Sequence, residues 1–581
     1  MLICGIKVSH DGGIAVIDDN RLVFSIEMEK LGNGNRYSPL GDLASVTELL
    51  QSEGIEPADV DRFVVDGWFE QTTADRTAAL ESQTPPTMRM SNRGVPAEAA
   101  VAPYQDRPGV SQPMKRYHFR EQDFDLGGDG YSSYHHISNH LLGGYCSSPF
   151  AARGEDAMVL VWDGGSVPRL YHVKAATREV APVANLFPIY GGCLADFSSQ
   201  FEPFLWKTEG LSEDQLMQQH LSIAGKAMAF AALGKVEVGA YSVLGEIFAA
   251  LPDASVTNAR IVGEKIAVNR DELMPGLSDA DLIATFQAYI GERLLRSLEA
   301  LARSGWVGEF GPSAHRLGEL APNLVMSGGC ALNIKWNSLL RESGLFEEIW
   351  VPPFANDSGA AIGTASCEMF YEGRLALEWN VYSGPKVLGG DLPAGWHGEA
   401  CDERQLAHIL HHEGEPVVVL SGRAEIGPRA LGNRSILAPA TSPTMKDRLN
   451  AMKDRAGYRP VAPICLTSRA AEVFNPGGHD PYMLFEHRPR PEWADRIPAV
   501  LHLDGTARLQ TIDAAAGNAT SRILAAYEEV SGIPVLCNTS ANFNGLGFFP
   551  DVASAAHWGG ARYIWSEGIL YSNSSAQVSA R

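Results

Sequence analysis

The strongest constraint on the fold is a pattern of short strands and acidic, glycine-containing turns that occurs twice in the first half of the chain. In its first occurrence, apolar runs span residues 2–7, 13–17 and 21–27, and the turns lie at residues 10–13 and 18–20. In its second occurrence, the runs span residues 157–162 and 169–173, around the turn Asp163-Gly164-Gly165. A repeated strand–turn–strand unit predicts an internal duplication within an α/β fold. Two unrelated β-hairpins fit the turns alone equally well, because Asp-Gly is a common hairpin signal.

The chain is long enough for more than one hydrophobic core. At 581 residues it exceeds the size at which single cores stop growing. A passage rich in glycine, proline and charge, about residues 372–400, predicts a linker between a first domain, 1–371, and a second domain, 401–581. Residues 70–130 combine weak periodicity with repeated prolines. We expect this stretch to be either an acceptor-binding flap or a disordered insertion.

Composition narrows the classes of partner. The formal net charge of −22 disfavours long-range attraction to nucleic acid or an anionic membrane. No apolar run reaches the length of a membrane span, the amino terminus lacks the pattern of a signal peptide, and the eight cysteines form no CxxC pair. These features predict a cytoplasmic protein that binds neither nucleic acid nor membrane.

A first group of candidate functional residues has the chemistry of a metal site. His136 and His140 are four residues apart, which places them on the same side of a helix. Asp163 at a strand end and Asp357 in the segment Asn356-Asp357-Ser358-Gly359 would complete a mixed nitrogen and oxygen set. Such a set suits Fe(II), Mn(II) or Zn(II) better than calcium. The histidine spacing alone is weak evidence, and one sequence does not establish that these distant residues meet.

Glycine-containing segments are candidates for nucleotide binding. In the segment 327–333, Gly328, Gly329 and Asn333 follow an apolar run, so a backbone turn and a helix start could approach a nucleotide closely. Similar reasoning applies to Gly225 and Lys226. A plain glycine turn between a strand and a helix explains these residues equally well.

The most unusual segment is a concentration of cations in the second half of the chain. Its members are Arg423, Arg429, Arg434, Lys446, Arg448, Lys453, Arg455 and Arg459. In so acidic a chain, basic residues interleaved with glycine predict a polyanion site, because guanidinium groups match phosphate oxygens and lysine adds a point charge. A solvated helix face explains residues 446–455 equally well, but it does not explain Gly-Pro-Arg-Ala-Leu-Gly at 427–432.

These segments, in this order, resemble the ATP-dependent O-carbamoyltransferase family, whose members act on aminoglycosides, cephems, ansamycins and nodulation factors. The matching segments are His10-Asp11, His136-x-x-x-His140, Asp163-Gly164, Gly225-Lys226, Gly328-Gly329-x-Ala331-Leu332-Asn333, Asn356-Asp357-Ser358-Gly359, residues 427–435, residues 453–463, Arg508-x-Gln510-Thr511 and Asn538-Thr539-Ser540. The string Gly-Pro-Arg-Ala-Leu-Gly-Asn-Arg-Ser at 427–435 is the most specific of them, and the resemblance covers nearly the whole chain.

The resemblance implies both a fold and a reaction. The first domain would be a duplicated, Kae1-like domain of the actin/hexokinase type, and the second an α+β, YrdC-like domain. The second domain would use ATP, Mg²⁺ and carbamoyl phosphate to make carbamoyl adenylate, releasing pyrophosphate and phosphate. The first domain, with a bound metal that is Fe(II) in a related enzyme, would transfer the carbamoyl group to a hydroxyl of a natural product.

The resemblance also implies roles for individual residues. His136, His140, Asp163 and Asp357 would hold the metal, and His10 would take the proton of the acceptor hydroxyl. Arg429, Lys453 and Arg459 would act on carbamoyl phosphate and ATP, which Arg508, Ser540 and Asn538 would also bind. The segment after Glu29 lacks the family's Glu-Arg-Phe-Thr-Arg pattern, and the segments after Lys226 and Ser540 depart from the family too. We expect these departures to bear on the acceptor more than on the chemistry.

Three other interpretations remain. A threonylcarbamoyl-type tRNA-modifying enzyme would use the same domain types, but the acidic chain lacks the basic surface that binds a large polyanion. An actin-like sugar kinase or ATPase would explain only the first half. A non-enzymatic binding protein would be expected to lack some of the metal-binding or arginine positions, and all of them are present.

Overall fold

Two units make up the chain in a computed structural model that describes residues 1–68, 85–107, 109–120, 124, 126, 130–251, 258–310 and 322–573. The first unit contains Met1–Met28 and Tyr37–Asn380, and the second contains Glu29–Arg36 and Val381–Arg581. The boundary between the two units at Asn380 and Val381 lies inside the stretch 372–400, which the sequence predicts as a linker. Residues 70–84 of the predicted insertion lie outside the described residues.

The first unit contains two sheets and a separate hairpin. Its strands are β1 (Leu2–Lys7), β2 (Gly13–Asp18), β3 (Arg21–Glu27), β4 (Arg62–Asp66), β5 (Thr87–Asn92), β6 (Val95–Ala100), β7 (Tyr117–Phe119), β8 (Tyr131–Tyr134), β9 (Ala157–Val161), β10 (Arg169–Lys174), β11 (Glu179–Asn185), β12 (Leu324–Ser327) and β13 (Ile349–Trp350). One sheet has the order β3-β2-β1-β4-β8-β7 and the other has the order β11-β10-β9-β12-β13. The hairpin β5-β6 belongs to the predicted insertion, so part of that insertion is an ordered structure.

The two sheets share one topology. In each, three antiparallel strands form a meander, and two further strands pair in parallel beside its first strand. The predicted duplication is therefore confirmed, with strand boundaries within one or two residues of those expected. Strands β1 and β9 are buried along nearly their whole length, because each lies inside its sheet and is covered on both faces.

Eleven helices of the first unit are described. They are α1 (Ala44–Ser52), α2 (His136–Cys146), α3 (Pro149–Arg153), α4 (Cys193–Ser198), α5 (Glu213–Phe230), α6 (Tyr241–Ala249), α7 (Asn258–Val268), α8 (Arg270–Leu273), α9 (Asp279–Arg303), α10 (Ile334–Ser343) and α11 (Ala360–Tyr371). In helix α9, apolar residues recur at intervals of three and four, the pattern from which the sequence predicts an amphipathic helix over residues 279–303. It begins where Ser278 and Asp281 cap each other's backbone amides, a capping box that satisfies donors otherwise left unpaired at a helix start. Each described helix is too short or too polar to cross a lipid bilayer.

The second unit is built on one mixed sheet. Its strands are β14 (Trp396–Ala400), β15 (Val417–Leu420), β16 (Arg434–Pro439), β17 (Ala462–Leu466), β18 (Phe474–Asn475), β19 (Arg488–Pro489), β20 (Gln510–Ile512), β21 (Val535–Ser540), β22 (Tyr563–Ser566) and β23 (Ile569–Asn573). The sheet has the order β14-β23-β22-β15-β16-β21-β17-β20, and β18 and β19 pair separately. Its helices are α12 (Glu403–His412), α13 (Met445–Met452), α14 (Thr467–Val473), α15 (Pro491–Ala494), α16 (Ala519–Ser531) and α17 (Val552–Trp558). The expected fold class, a duplicated α/β domain followed by an α+β domain, is confirmed.

Helices α2 and α11 pack at unusually short range because glycines face each other. A Cβ atom on Gly363 of α11 would lie 2.1 Å from the carbonyl oxygen of Asn139 in α2, and one on Gly143 would lie 3.0 Å from the Cα of Gly363. No side chain fits at 2.1 Å, so position 363 requires glycine, and a Cβ at position 143 would make a tight contact with the backbone of α11. This contact matters for function because α2 carries both candidate histidines and Asp357 directly precedes α11.

We predict that Gly363→Ala lowers the free energy of unfolding of the first unit by about 3 kcal/mol, because the backbones of α2 and α11 must separate to admit the methyl group. Gly225→Ala is a matched control, since a Cβ at that position of α5 meets nothing within 4 Å. It should leave stability unchanged or raise it by up to about 1 kcal/mol. Urea unfolding followed by circular dichroism measures both, and equal stability of Gly363→Ala and wild type would contradict the packing argument.

Candidate metal centre and anion site

Four side chains of the first unit converge on one buried point. The Nε2 atoms of His136 and His140 lie 3.1 Å apart. The Oδ1 atom of Asp357 lies 3.5 Å from Nε2 of His136 and 3.3 Å from Nε2 of His140. The carboxylate of Asp163 lies 3.7 Å from each imidazole. One potential ligand atom from each residue fits within 4.8 Å of all the others, so the structure brings the whole predicted metal set together.

Three elements position these side chains. His136 and His140 lie one turn apart on α2, as their spacing predicts. Asp163 follows the last residues of β9, and Asp357 begins a short 3₁₀ helix just before α11. Strand ends and helix starts that face one crevice are where α/β proteins commonly bind ligands.

A second layer of side chains fixes His136. The Nδ1 atom of its ring lies 2.9 Å from Oδ2 of Asp66, which leaves Nε2 directed at the cluster. The amide of Asn139 also donates to Asp66. A carboxylate that accepts the second ring N–H is the usual support for a metal-bound histidine.

Lys7 completes this layer. Its ammonium lies 2.7 Å from Oδ2 of Asp66 and 2.9 Å from Oδ2 of Asp357, and it is fully buried. Sequence analysis missed Lys7 and Asp66 because single charged residues at the ends of apolar strands form no motif. A signal was nevertheless present, since β1 and β4 pair in parallel and their carboxyl ends carry opposite charges.

The electrostatics of the cluster favour a bound cation. The Lys7 ammonium contacts the carboxylates of Asp66 and Asp357, and Asp163 is a third buried carboxylate. With both imidazoles counted as neutral, one positive and three negative charges leave an excess of two negative charges. Burial disfavours protonation of His136, but the carboxylates of Asp66 and Asp357 outweigh burial and raise its pKa well above the usual range. The protein without an ion thus draws a proton to the place where a metal would bind. Two imidazoles, two carboxylates and an excess of two negative charges fit a divalent transition metal.

Tyr104, from the predicted insertion, also belongs to this site. Its hydroxyl donates to Oδ2 of Asp163 over 2.6 Å and accepts the backbone N–H of Gly165. Burial and the nearby carboxylates raise the pKa of Tyr104 well above its ordinary value, so it remains a donor. The indole of Trp68 contacts the rings of both Tyr104 and His136 edge to face. Residue 104 therefore gives the insertion a defined role in holding Asp163.

His10 lies at the mouth of the same cluster. Its Nδ1 atom is 2.9 Å from Oδ2 of Asp11, and its Nε2 atom is 3.6 Å from Oδ2 of Asp357. The side chain of His10 is 18% exposed, whereas that of His136 is fully buried. His10 is thus placed where a group arriving from solvent can meet the cluster.

The predicted nucleotide-binding glycines fall in two different settings. The backbone N–H of Gly329 donates to Oδ1 of Asp163 over 2.8 Å, so the Gly328-Gly329 turn borders the candidate metal-binding side chains. Asn333 caps the start of α10. Gly225 and Lys226 lie in the interior of α5 instead, where Lys226 donates to Ser222. The expectation that they form a turn at a helix start is wrong, and their role in nucleotide binding stays a prediction.

The second unit contains a buried cation held by predicted partners. Nζ of Lys453 donates to Oγ of Ser540 over 2.8 Å, to Oδ1 of Asn542 over 2.7 Å and to the carbonyl of Ser540. Burial, and after it the charges of Arg455, Arg459 and Arg36, lower the pKa of Lys453 well below its usual value.

Further guanidinium groups lie close to Lys453. Burial and then the charges of Arg455 and Arg459 lower the pKa of Arg508 to about 10. Burial and then the charge of Arg459 lower the pKa of Arg455 to about 9. Mutual depression of this kind shows several like charges held together, which an anionic ligand would relieve. Of the residues predicted to bind an anion, the structure thus groups Lys453, Arg455, Arg459, Arg508 and Ser540.

Hydrogen bonds to buried side chains fix the conformation of the loop that carries Arg429. The buried carboxylate of Glu425 accepts the backbone N–H groups of Leu431, Asn433 and Arg434. Asn538 donates to the carbonyl of Ala430 over 3.1 Å and to Gln510 over 2.7 Å. The contacts of Asn538 are those of a residue that supports this loop.

Two arginines of the predicted basic segment have structural contacts instead. The buried guanidinium of Arg434 donates to backbone carbonyls, among them those of Ser421 and Pro385. Arg448 pairs with Glu415. Acceptors within the fold therefore engage both guanidinium groups, which disfavours Arg434 as a polyanion ligand and for Arg448 fits the alternative of a helix face over residues 446–455.

A large cavity of about 880 Å³ occurs elsewhere in the first unit. It is lined by residues of 109–114, 177–182, 309–310 and 370–371. These include Tyr371, the last residue of α11. Since α11 has 12 residues, about 18 Å separates its two ends, and Asp357 lies near the other one. The cavity is therefore distinct from the cluster formed by His136, His140, Asp163 and Asp357.

The chain is similar to known proteins along nearly its whole length. The family model described as carbamoyltransferase N-terminus matches residues 2–366, and the one described as carbamoyltransferase C-terminus matches residues 407–560. A nodulation protein U from Sinorhizobium fredii is 42% identical over 99% of this chain and 100% of its own length. A 3'-hydroxymethylcephem-O-carbamoyltransferase from Streptomyces clavuligerus is 32% identical over 94% of each chain. Among solved structures, a ROK family glucokinase from Streptomyces griseus, in complex with glucose and AMPPNP, matches 64% of this chain and 100% of its own with a TM-score of 0.27 and 13% identity. That score is too low to add to the sheet topology described above.

We predict that Asp66→Asn weakens binding of a divalent metal by about 10- to 100-fold, because the amide neither orients the His136 ring nor supplies the carboxylate charge. Asp271→Asn, on the exposed helix α8, is the matched control and should bind metal as the wild type does. Equilibrium dialysis against Mn²⁺ with elemental analysis measures both affinity and stoichiometry. Wild-type affinity in Asp66→Asn would show that the second layer does not support the site.

Proposed function

The chain belongs to the carbamoyltransferase family, and on that premise we propose that it makes carbamoyl adenylate and transfers the carbamoyl group to a hydroxyl of a secondary metabolite. The donor substrates would be carbamoyl phosphate and ATP with Mg²⁺. The observation that carries the proposal is the group of cations around Lys453 and Arg508, in a chain whose net charge is −22.

The first half-reaction is assigned to the second unit because its cations match the charge of the donors. Arg429, Lys453, Arg459 and Arg508 would bind the phosphates of carbamoyl phosphate and ATP, with Ser540 adding a hydroxyl. One water opens carbamoyl phosphate to carbamate and inorganic phosphate. A carbamate oxygen then bonds to the α-phosphorus of ATP and pyrophosphate leaves, so that atoms balance. The guanidinium groups would stabilise the charge that develops on the leaving phosphates.

The second half-reaction is assigned to the first unit. His136, His140, Asp163 and Asp357 would hold a divalent metal, with Fe(II) implied by the family resemblance, which supplies a Lewis acid for the charge on the adenylate phosphate. Lys7 and Asp66 keep His136 in the ligating orientation, and Tyr104 does the same for Asp163. The Gly328-Gly329 turn beside Asp163 would present its backbone to the nucleotide.

His10 is the residue best placed to accept the proton of the acceptor hydroxyl. An alcohol is a weak nucleophile at neutral pH, and an imidazole titrates in the range where it can serve as a base. Asp11 contacts Nδ1 of His10, which orients the ring and leaves Nε2 for the incoming group. The hydroxyl oxygen would then bond to the carbamoyl carbon, and AMP would leave.

The alternatives explain less of the molecule. An actin-like sugar kinase accounts for the duplicated sheets but not for the cations of the second unit. A tRNA-modifying enzyme would have to bind a large polyanion, which the net charge of −22 disfavours. The names of the relatives point to hydroxylated natural products, so we propose an acceptor of that kind. A cytoplasmic location would supply both ATP and carbamoyl phosphate.

We predict that the purified protein releases pyrophosphate from ATP and Mg²⁺ only when carbamoyl phosphate is added, and that it does so without an acceptor. Arg429→Ala should lower the rate at least about 100-fold, because a donor to the developing phosphate charge is lost. Arg562→Ala, an exposed arginine paired with Glu413, is the matched control and should keep the wild-type rate. A coupled pyrophosphate assay measures the rate in each. Phosphate release that is indifferent to carbamoyl phosphate would favour the sugar kinase or ATPase instead.

A further inference from the structure

A segment near the amino terminus folds with the second unit. Glu29–Arg36 follows β3 in sequence, yet its contacts place it with residues beyond Val381. The carbonyl of Glu29 accepts from the N–H of Phe548 over 2.9 Å, and the N–H of Arg36 donates to the carbonyl of Gly545 over 3.3 Å. A Cβ on Gly547 would lie 2.3 Å from the carbonyl oxygen of Glu29, so this close approach requires glycine. The segment is therefore integrated in the second unit.

Lys30 ties this segment to the loop that carries Arg429. Its buried ammonium donates to the carbonyl of Gly427 over 2.8 Å and to the carbonyl of Glu425. Two backbone carbonyls of one loop thus depend on a cation from elsewhere in the sequence. Lys30 fixes the path of the loop immediately before Arg429.

Arg36 reaches the same loop and extends the cation group. Its Nη2 atom donates to the carbonyl of Pro428, the residue before Arg429, over 3.2 Å. Its side chain is 27% exposed. Its charge is among those that lower the pKa values of Lys453 and Arg508, which places the guanidinium within electrostatic range of both.

We propose that Arg36 is a further binding residue for the phosphate-bearing donor of the second unit, and that Lys30 is a positioning residue for the Arg429 loop. The inference rests on the proposed function and deepens it. The anion site would then be assembled from two distant parts of the sequence, with residues 429–540 supplying most cations and the amino-terminal segment supplying one more.

Substitution of Glu29 should change ligand affinity in the direction opposite to substitution of Arg36. Its carboxylate is buried, and its Oε2 atom lies 3.6 Å from Nε of Arg36, so it offsets part of the Arg36 charge. If Arg36 attracts a phosphate-bearing ligand, neutralising Glu29 must strengthen that attraction. Loss of the Glu29 charge favours a nearby anion in either case, so if Arg36 has only a packing role, Glu29→Gln should improve binding as much in Arg36→Gln as in the wild type.

The experiment measures the binding of pyrophosphate to the full chain by isothermal titration calorimetry. We expect Arg36→Gln to raise the dissociation constant by about 10- to 100-fold, the usual weight of a charge-assisted contact. Arg36→Lys should stay within about threefold of the wild type, and Glu29→Gln should bind pyrophosphate severalfold more tightly. Arg562→Gln controls for the loss of an exposed arginine of the same unit.

Two outcomes would overturn the proposal. One is wild-type pyrophosphate affinity in folded Arg36→Gln, and the other is unchanged or weaker binding in Glu29→Gln. A wild-type chain that does not bind pyrophosphate would overturn it as well. Because binding requires no turnover, these results are separate from those of the carbamoyl phosphate assay, which alone tests the proposed function.

Two further measurements test the positioning role of Lys30 and the binding role of Arg36 separately. Lys30→Met should lower the rate of pyrophosphate release and raise the dissociation constant, with thermal unfolding of the chain showing whether the fold persists. Increasing salt should weaken pyrophosphate binding less steeply in Arg36→Gln than in the wild type, since one charge fewer contacts the ligand. A salt dependence equal to that of the wild type would contradict a direct role for Arg36.

Discussion

The buried contact between Lys7 and the carboxylates of Asp66 and Asp357 is the interaction on which the first unit's site depends. Fully buried charges are tolerated only when they are paired, because burial without a partner costs several kcal/mol per ion. Lys7 and Asp66 end two neighbouring parallel strands, so the sheet itself supplies this pair. Asp66 then orients His136, and Asp357 faces both Lys7 and the histidines. The backbone topology thereby determines where a metal can bind.

The two units carry buried charge clusters of opposite sign. In the first, buried carboxylates exceed the available ammonium groups, and a divalent cation would restore neutrality. In the second, Lys453, Arg455 and Arg508 are held close together against their mutual repulsion, and an anion would offset their positive charge. Both clusters are costly without a ligand, and such clusters are characteristic of functional sites more than of structural ones. The proposed reaction, with a divalent metal in the first unit and phosphorylated donors in the second, would account for both.

Periodicity and spacing predicted what is local in the chain. The duplicated meander, helix α9 and the shared face of His136 and His140 follow from short-range patterns, and the structure has them. Lys7, Asp66 and Tyr104 were missed because their roles arise from strand pairing and from an insertion with weak periodicity. Arg434 was overcounted for the complementary reason, since sequence shows a cation but not the backbone carbonyls that engage it. That Asp163 and Asp357 meet the histidines could be expected only from the family resemblance.

Two of the segments that depart from the family pattern lie in the second unit, close to its cations. The segment after Glu29 was expected to bear on the acceptor, yet Glu29–Arg36 lies with the unit assigned to the donors. Asn542, within the second departing segment, accepts from the ammonium of Lys453. Both changes therefore touch the loop and the cations that would bind phosphate. His10, Trp68 and Tyr104 border the cluster of His136, His140, Asp163 and Asp357 in the first unit, and these are the positions at which the proposed acceptor would be distinguished.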